Sequence, residues 1–438
     1  MTMLALYMFP VLFGLLLVGV PVVFSMLATA TAFGWLVFDH ALVFQFIEKI
    51  EDVASNFVLA AVTLFVFMGC MLERAGIAEQ LFAAVHIWTR RLPGGLALGT
   101  VIMCIIFAAS TGVIGATETV VGLLAIPVML KHRYDKGLIC GTICAGGSLG
   151  TIIPPSVVVV IMGPLADVSV GDLLVGMVFP GLIMSGFYLL YIFGLCVLRP
   201  EAGPVAEDDD GMTLAEKLRI TMVALVPPMC MIFAVLGSIM LGLAAPTEAA
   251  AIGAAGSVLL AAFYGRLTMA VLQGAVMKTL QVTAMIMAIL LAGSMMTGVF
   301  IGAGGVQLAQ DLVEMANLGP WGLLALVLGL AFLAGFVLDW ISIVLIMIPL
   351  FTPLIVAAGF NPVWFCILFL VMIQTSYLTP PMAPAIFYLR GIAPPEITTM
   401  HMYRGVIPFI LLQFATLGII LLFPETVLWL PSKLLGFN

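Results

Sequence analysis

Gly146-Gly-Ser-Leu-Gly-Thr-Ile-Ile-Pro-Pro-Ser156 interrupts a long apolar run in which a helix would otherwise continue. Pro154 and Pro155 remove two backbone donors and clash with the preceding turn, and the glycines before them loosen the helix. A broken helix at membrane depth leaves backbone groups unpaired. That is tolerated only where protein, water or a bound ion satisfies them. A second break of the same kind lies at Ser376-Tyr-Leu-Thr-Pro-Pro-Met-Ala-Pro384.

Outward from these breaks, the composition is that of a membrane protein. The chain of 438 residues is 63% hydrophobic and 8% charged, where soluble domains carry about 25% charged residues. Apolar runs of about 18 residues or more recur along its length, so the fold class is an all-α polytopic membrane protein. The short alternating segments of a β-barrel are absent. The net charge of −7 includes an acidic patch at Glu207–Asp210 and no basic stripe, which excludes a nucleic-acid partner and leaves the lipid bilayer as the surrounding medium. The seven cysteines are scattered through apolar segments and read as buried small residues.

Residues 1–38 carry no charge before Asp39 and fit one tilted helix or two short spans turning near Gly19–Pro21. His40–Asp52 reads as a polar loop, and Gly76–Leu92 as an amphipathic interfacial helix. Basic residues mark the cytoplasmic side. The apolar block 94–130 has Arg90 and Arg91 before it and Lys131, Arg133 and Lys136 after it. Both of its ends therefore face the cytoplasm, its middle is polar, and each arm is too short to span. The block reads as a re-entrant hairpin. Block 320–358 is interrupted at Gly335–Ser342 and has no basic residue at either end, so it is expected to enter from the opposite side.

The halves repeat these features at an offset near 225 residues. Leu92-Pro-Gly-Gly-Leu is matched by Leu318-Gly-Pro-Trp-Gly-Leu323, Pro127 by Pro349, Pro154-Pro155 by Pro380-Pro381, and Phe179-Pro180 by Ile407-Pro408. With opposite charge placement, this is an inverted repeat with two re-entrant helical hairpins and two discontinuous helices. That pattern points to a secondary transporter with its site near the midplane.

Four interruptions should then meet: 110–119, 146–156, 335–342 and 376–384. Their carbonyls and small hydroxyls suit sodium. The candidate ligands are Ser110, Thr111, Gly115, Thr117, Pro154 and Ser156 for one ion, and Gly335, Asp339, Ser342, Thr379 and Pro380 for its mirror. Ser148, Thr151 and Thr375 are candidates to face the solute. Hydroxyls in membrane helices most often bond their own helix. An intramembrane acid is a stronger signal, which singles out Glu118 and Asp339. Glu248, after Pro246, reads as a helix cap. No phosphate loop, His-Glu-x-x-His or Gly-x-Ser-x-Gly motif occurs, so an enzyme is not expected, and no cofactor beyond coupling sodium ions.

Gly150-Thr-Ile-Ile-Pro-Pro-Ser156, Ala245-Pro-Thr-Glu-Ala-Ala-Ala251, Leu378-Thr-Pro-Pro-Met382 and the ending Pro424-Glu…Leu428-Trp-Leu-Pro431 resemble the large membrane subunit of TRAP (tripartite ATP-independent periplasmic) transporters. The resemblance covers nearly the whole chain. Two stretches depart from the commoner pattern, the first hairpin tip and Met382-Ala-Pro384. The family implies an elevator-type architecture of the ion-transporter superfamily in the bacterial inner membrane. It also implies sodium-driven import of an organic acid, a small four-helix membrane partner, and a periplasmic solute-binding protein that delivers the carboxylate. The transport domain would comprise 94–166 (hairpin 94–130, broken helix 137–166) and 319–391 (hairpin 320–358, broken helix 362–390). Residues 1–93, 167–318, with a cytoplasmic linker at 199–219 and an outer interfacial helix at 302–318, and 392–438 would form the scaffold. A stand-alone sodium- or proton-coupled anion transporter and an ion channel are the competing readings.

Overall fold

A computed structural model describes residues 2–111, 116–205, 212–308, 311, 319–336, 338, 340–380 and 383–436. Among them all regular structure is helical. The N-terminal run forms two helices, α1 (Thr2–Leu17) and α2 (Val22–Phe38), because Gly19 turns the chain at φ +93°. The expected polar loop after them is instead a helix, α3 (Leu42–Ser55). Its charges lie along one face and Leu42 packs inward, so the mixed composition is that of an amphipathic helix. α4 (Val58–Arg74) meets α5 (Ile77–Thr89) at a 65° bend through Gly76, at φ +68°.

The first hairpin is α6 (Gly95–Thr111) and α7 (Ala116–Lys131). The first broken helix is α8 (Lys136–Ser148), a short 3-10 turn at Leu149–Thr151, and α9 (Val157–Ala166). α10 (Val170–Gly176) and α11 (Val178–Leu198) follow, then α12 (Leu214–Met240), α13 (Pro246–Phe263) and α14 (Met269–Gly302). α14 is one helix of 34 residues, where the sequence suggests a short amphipathic piece and then a span. The second hairpin is α15 (Pro320–Ala334) and α16 (Trp340–Ala357), and the second broken helix is α17 (Pro362–Leu378) and α18 (Pro384–Ile392). α19 (Thr399–Leu422) and α20 (Glu425–Leu434) end the chain, with Lys433 Nζ 6.0 Å from the Trp429 ring.

Among the described residues, seven helices or continuous helix pairs have the length and apolarity to cross a bilayer, whereas α6, α9, α15 and α17 are apolar but shorter than a span. α16 reaches span length, yet its 15-residue partner arm does not, which keeps the pair a hairpin.

The repeat extends to the packing. α2 lies on α14 as α13 lies on α4, and α6 on α8 as α15 on α17. The second arm of each hairpin packs against the second half of the other half's broken helix, α7 on α18 and α16 on α9. Such reciprocal exchange requires an approximate two-fold axis. α8 and α19 cross with their backbones in contact. A Cβ at Gly405 would collide with the Gly137 carbonyl and lie 3.0 Å from the Gly141 nitrogen. Gly137 and Gly141, four residues apart, therefore let the two backbones touch, the small-xxx-small contact of membrane helices.

Candidate functional site

The two proline breaks leave helix ends inside the fold. α8 ends at Ser148 and α9 restarts at Val157, with all of Thr151–Val160 buried. Pro154 is joined to Pro155 by a cis peptide bond. α17 ends at Leu378, and α18 restarts after Ala383 at φ +40°. Each gap thus exposes carbonyls from the first half and amides from the second, the partial charges that helix ends carry.

The hairpins reach these breaks by direct contact. Gly147 of α8 packs on the side chain of Glu118, the third residue of α7, so closely that a Cβ would overlap it. In the other half, Gly335 at the end of α15 packs in the same way on Ser376 of α17. The last turn of α17 ties the halves together. Gln374 Nε2 donates to Ser148 Oγ at 3.3 Å, Tyr377 turns its hydroxyl toward the Glu118 carboxyl, and Ser376 carries Gly335. Cys144 Sγ adds a long contact, 3.7 Å, to the Ala385 carbonyl of α18.

Glu118 is fully buried, and neither carboxyl oxygen has a partner in ordinary hydrogen-bond geometry among the described residues. Ser156 and Ser342 are likewise buried, with Oγ atoms that have no partner among the described residues. Four of the other expected hydroxyls are bonded locally to backbone carbonyls three or four residues back. Ser148 donates to Ala145 O at 2.8 Å, Thr151 to Ser148 O at 2.9 Å, Thr375 to Val371 O at 2.7 Å and Thr379 to Thr375 O at 2.7 Å. Their protons are therefore committed, and only their oxygen lone pairs remain for a cation. Thr117 is buried beside Glu118, and Thr379 and Pro380 are half-buried at the second gap. Gly115 and Asp339 lie outside the described residues, as do the side chains of Ser110 and Thr111. Glu248 is exposed at the start of α13, where it accepts from Ala245 N at 2.9 Å, far along the chain from any gap. No cluster of three or more His, Cys, Asp or Glu exists among the described residues, so a cation here would rely on carbonyls and hydroxyls.

A polar cluster that the motifs did not point to lies beside the first break. Gln413 Nε2 of α19 donates to Tyr188 Oη of α11 at 2.8 Å and lies 3.4 Å from Ser148 Oγ. Gln374 and Ser148 are 226 residues apart, and Gln413 and Tyr188 are 225 apart. The first offset is that of the paired prolines, Pro154 to Pro380, so Gln374 and Ser148 are equivalent positions that meet across the approximate two-fold axis, whereas Gln413 lies about one helical turn before the position that Pro180 and Pro408 make equivalent to Tyr188. The signal was in the sequence: two uncharged amides, each inside a long apolar run.

Comparison with known proteins agrees with this geometry. Residues 9–426 match the model of the DctM component of the tripartite ATP-independent periplasmic transporters. The chain belongs to that family. Among its relatives, the C4-dicarboxylate TRAP transporter large permease protein DctM of Vibrio cholerae is 27% identical, with 98% of each chain covered. The ectoine TRAP transporter large permease protein TeaC of Halomonas elongata is 27% identical, over 95% of this chain and 96% of that one. The isethionate TRAP transporter permease protein DctMQ of Oleidesulfovibrio alaskensis is 29% identical over 93% of this chain and 64% of its own length. In fold, the chain superposes on the Alcanivorax borkumensis YdaH transporter with a TM-score of 0.66 at 15% identity, over 89% of this chain and 90% of that one. The protein is thus a multi-pass TRAP large permease of the inner membrane.

Proposed function

We propose that this TRAP permease imports an organic acid by sodium-driven symport, with a periplasmic binding protein delivering the solute and a small four-helix subunit completing the membrane complex. The observation that carries the reading is the last turn of α17. It touches the first hairpin, the first break and the second hairpin within four residues, so solute and ions bound there would be sensed by both halves.

Sodium fits the donor set. The carbonyl ends of α8 and α17 and the unspent hydroxyls of Ser156 and Ser342 are neutral oxygens, and the amide ends of α9 and α18 suit a carboxylate. Thr117, Pro154 and Ser156, with Ser110, Thr111 and Gly115, form one proposed ion site. Gly335, Ser342, Thr379 and Pro380, with Asp339, form its mirror. Glu118 has no basic side chain beside it among the described residues, and a buried carboxyl of that kind is stable when it meets a cation or holds a proton. A carboxylate solute accords with the C4-dicarboxylate relative, and since the ectoine and isethionate relatives carry other solutes in their names, solute choice would rest on details of the gap and on the binding protein.

In the elevator reading, the hairpins and broken helices move as one body against α1–α5 and α12–α14. α11 and α19 belong with the moving body, because α19 shares its closest packing with α8 and α11 packs on α6 and α19. This boundary differs from the one implied by the family resemblance, in which 167–318 and 392–438 belong to the scaffold.

The test is reconstitution of the chain with its small subunit and binding protein. An organic acid accumulates under an inward sodium gradient and stays at equilibrium when choline replaces sodium. Equal uptake under a proton gradient alone overturns sodium coupling and makes Glu118 or Asp339 the candidate proton carrier. Equal uptake without the binding protein overturns the delivery step.

A further inference from the structure

At the cytoplasmic end of the α8–α19 crossing lies a cavity of about 750 Å³ between α8, α11 and α19. Three arginines line it: Arg133 before α8, Arg199 after α11 and Arg404 on α19. All three are exposed, and among the described residues none of their guanidinium groups makes a hydrogen bond or ion pair. The two carboxylates of the lining do not neutralise them by contact. Asp135 accepts from Leu138 N at 2.9 Å as the cap of α8, and Glu201 is exposed on the turn after Arg199. Its inner wall includes the Phe409 ring, which packs edge-on against both Tyr188 and Tyr191, with centroids 5.2 Å apart in each pair. Beside its mouth the helix surfaces turn outward as bare hydrocarbon, with Leu198 83% exposed and Ile407 and Leu411 more than half exposed.

We infer that this cavity is a binding site for the phosphate group of an anionic phospholipid of the cytoplasmic leaflet. Guanidinium forks match phosphate oxygens in pairs, which is why arginine recurs at phosphate sites. The arginines lie on the side that basic loops mark as cytoplasmic, and basic pockets between helices on that side collect anionic head groups. A free phosphate shares the arginine chemistry but leaves the outward hydrocarbon without a role. A lipid uses both, with its phosphate in the cavity and its acyl chains along Leu198 and Ile407.

The experiment is native mass spectrometry of the full-length chain in neutral detergent, titrated separately with phosphatidylglycerol, phosphatidylcholine and inorganic phosphate. Phosphatidylglycerol is expected to bind at least about tenfold more tightly than phosphatidylcholine, and Arg199→Gln or Arg404→Gln to weaken it about fivefold each. Phosphatidylcholine binding should be unchanged in both variants, which also shows that they are folded. Variants that keep the full preference for phosphatidylglycerol overturn the site. Displacement of phosphatidylglycerol by millimolar inorganic phosphate overturns the lipid assignment in favour of a free anion.

Discussion

Gly147→Ala tests whether the hairpin tip is seated on the broken helix. The new Cβ would lie 3.0 and 3.1 Å from Glu118 Cδ and Cβ, and overlap Cγ. Carbon atoms pack best at about 3.5–4.0 Å. The methyl group is fixed to the α8 backbone, so either Glu118 leaves its position or α7 moves outward by about 1.5 Å or more to clear Cγ. Overpacking of this size costs about 1–3 kcal/mol, a shift of up to about thirtyfold at 2 kcal/mol in any equilibrium that needs the tip seated. Equilibrium unfolding in mixed detergent and dodecyl sulfate micelles should show that loss, and sodium-driven uptake should fall with it. Glu118→Ala removes the obstructing atoms. In the double variant the alanine methyl then has room, so the cycle should return a coupling of about 1–3 kcal/mol between the two positions. Additive effects, with Gly147→Ala equally harmful whichever residue occupies position 118, would refute the seating of the tip on α8.

Gln413→Leu combined with Tyr188→Phe should be non-additive, with a coupling near 0.6 kcal/mol and at most about 1.7 kcal/mol, read in the same unfolding titration. Ser156→Ala and Ser342→Ala should each raise the sodium concentration for half-maximal uptake about tenfold, one lost ligand being worth about 1.4 kcal/mol, while Thr375→Val leaves it within about twofold. Gly405→Ala should impair folding, since the new methyl meets the immobile Gly137 carbonyl, while Gly418→Ala, with open space around it, is silent in yield and in uptake.

The breaks and the repeat were legible because their causes are local. Paired prolines and charge placement act on the segment that contains them, and α8–α9 and α17–α18 part where Pro154-Pro155 and Pro380-Pro381 require. The helix α3 was hidden because its charges suggest a loop, although their spacing places them on one face. The state of each hydroxyl was not legible either. Thr375 and Ser156 look alike as letters, but one sits inside a helix with a carbonyl four residues back and the other in a gap with none in reach. The cluster of Ser148, Gln374, Gln413 and Tyr188 depends on which helices meet, and the repeat offset, applied to single residues, would have paired only Ser148 with Gln374.

The pairing of Ser148 with Gln374 has a consequence for how a two-fold architecture differs from a dimer. On the axis between two identical subunits, a residue faces its own copy, and like must meet like. Amide against amide is tolerable there, but a donor can never be matched to a different acceptor by changing one side alone. A single chain folded into two halves is free of that restriction. Here it places glutamine opposite serine, so the seam between the halves carries a directional sense that a symmetric assembly lacks. The two halves are built alike but are not interchangeable at the line where they meet.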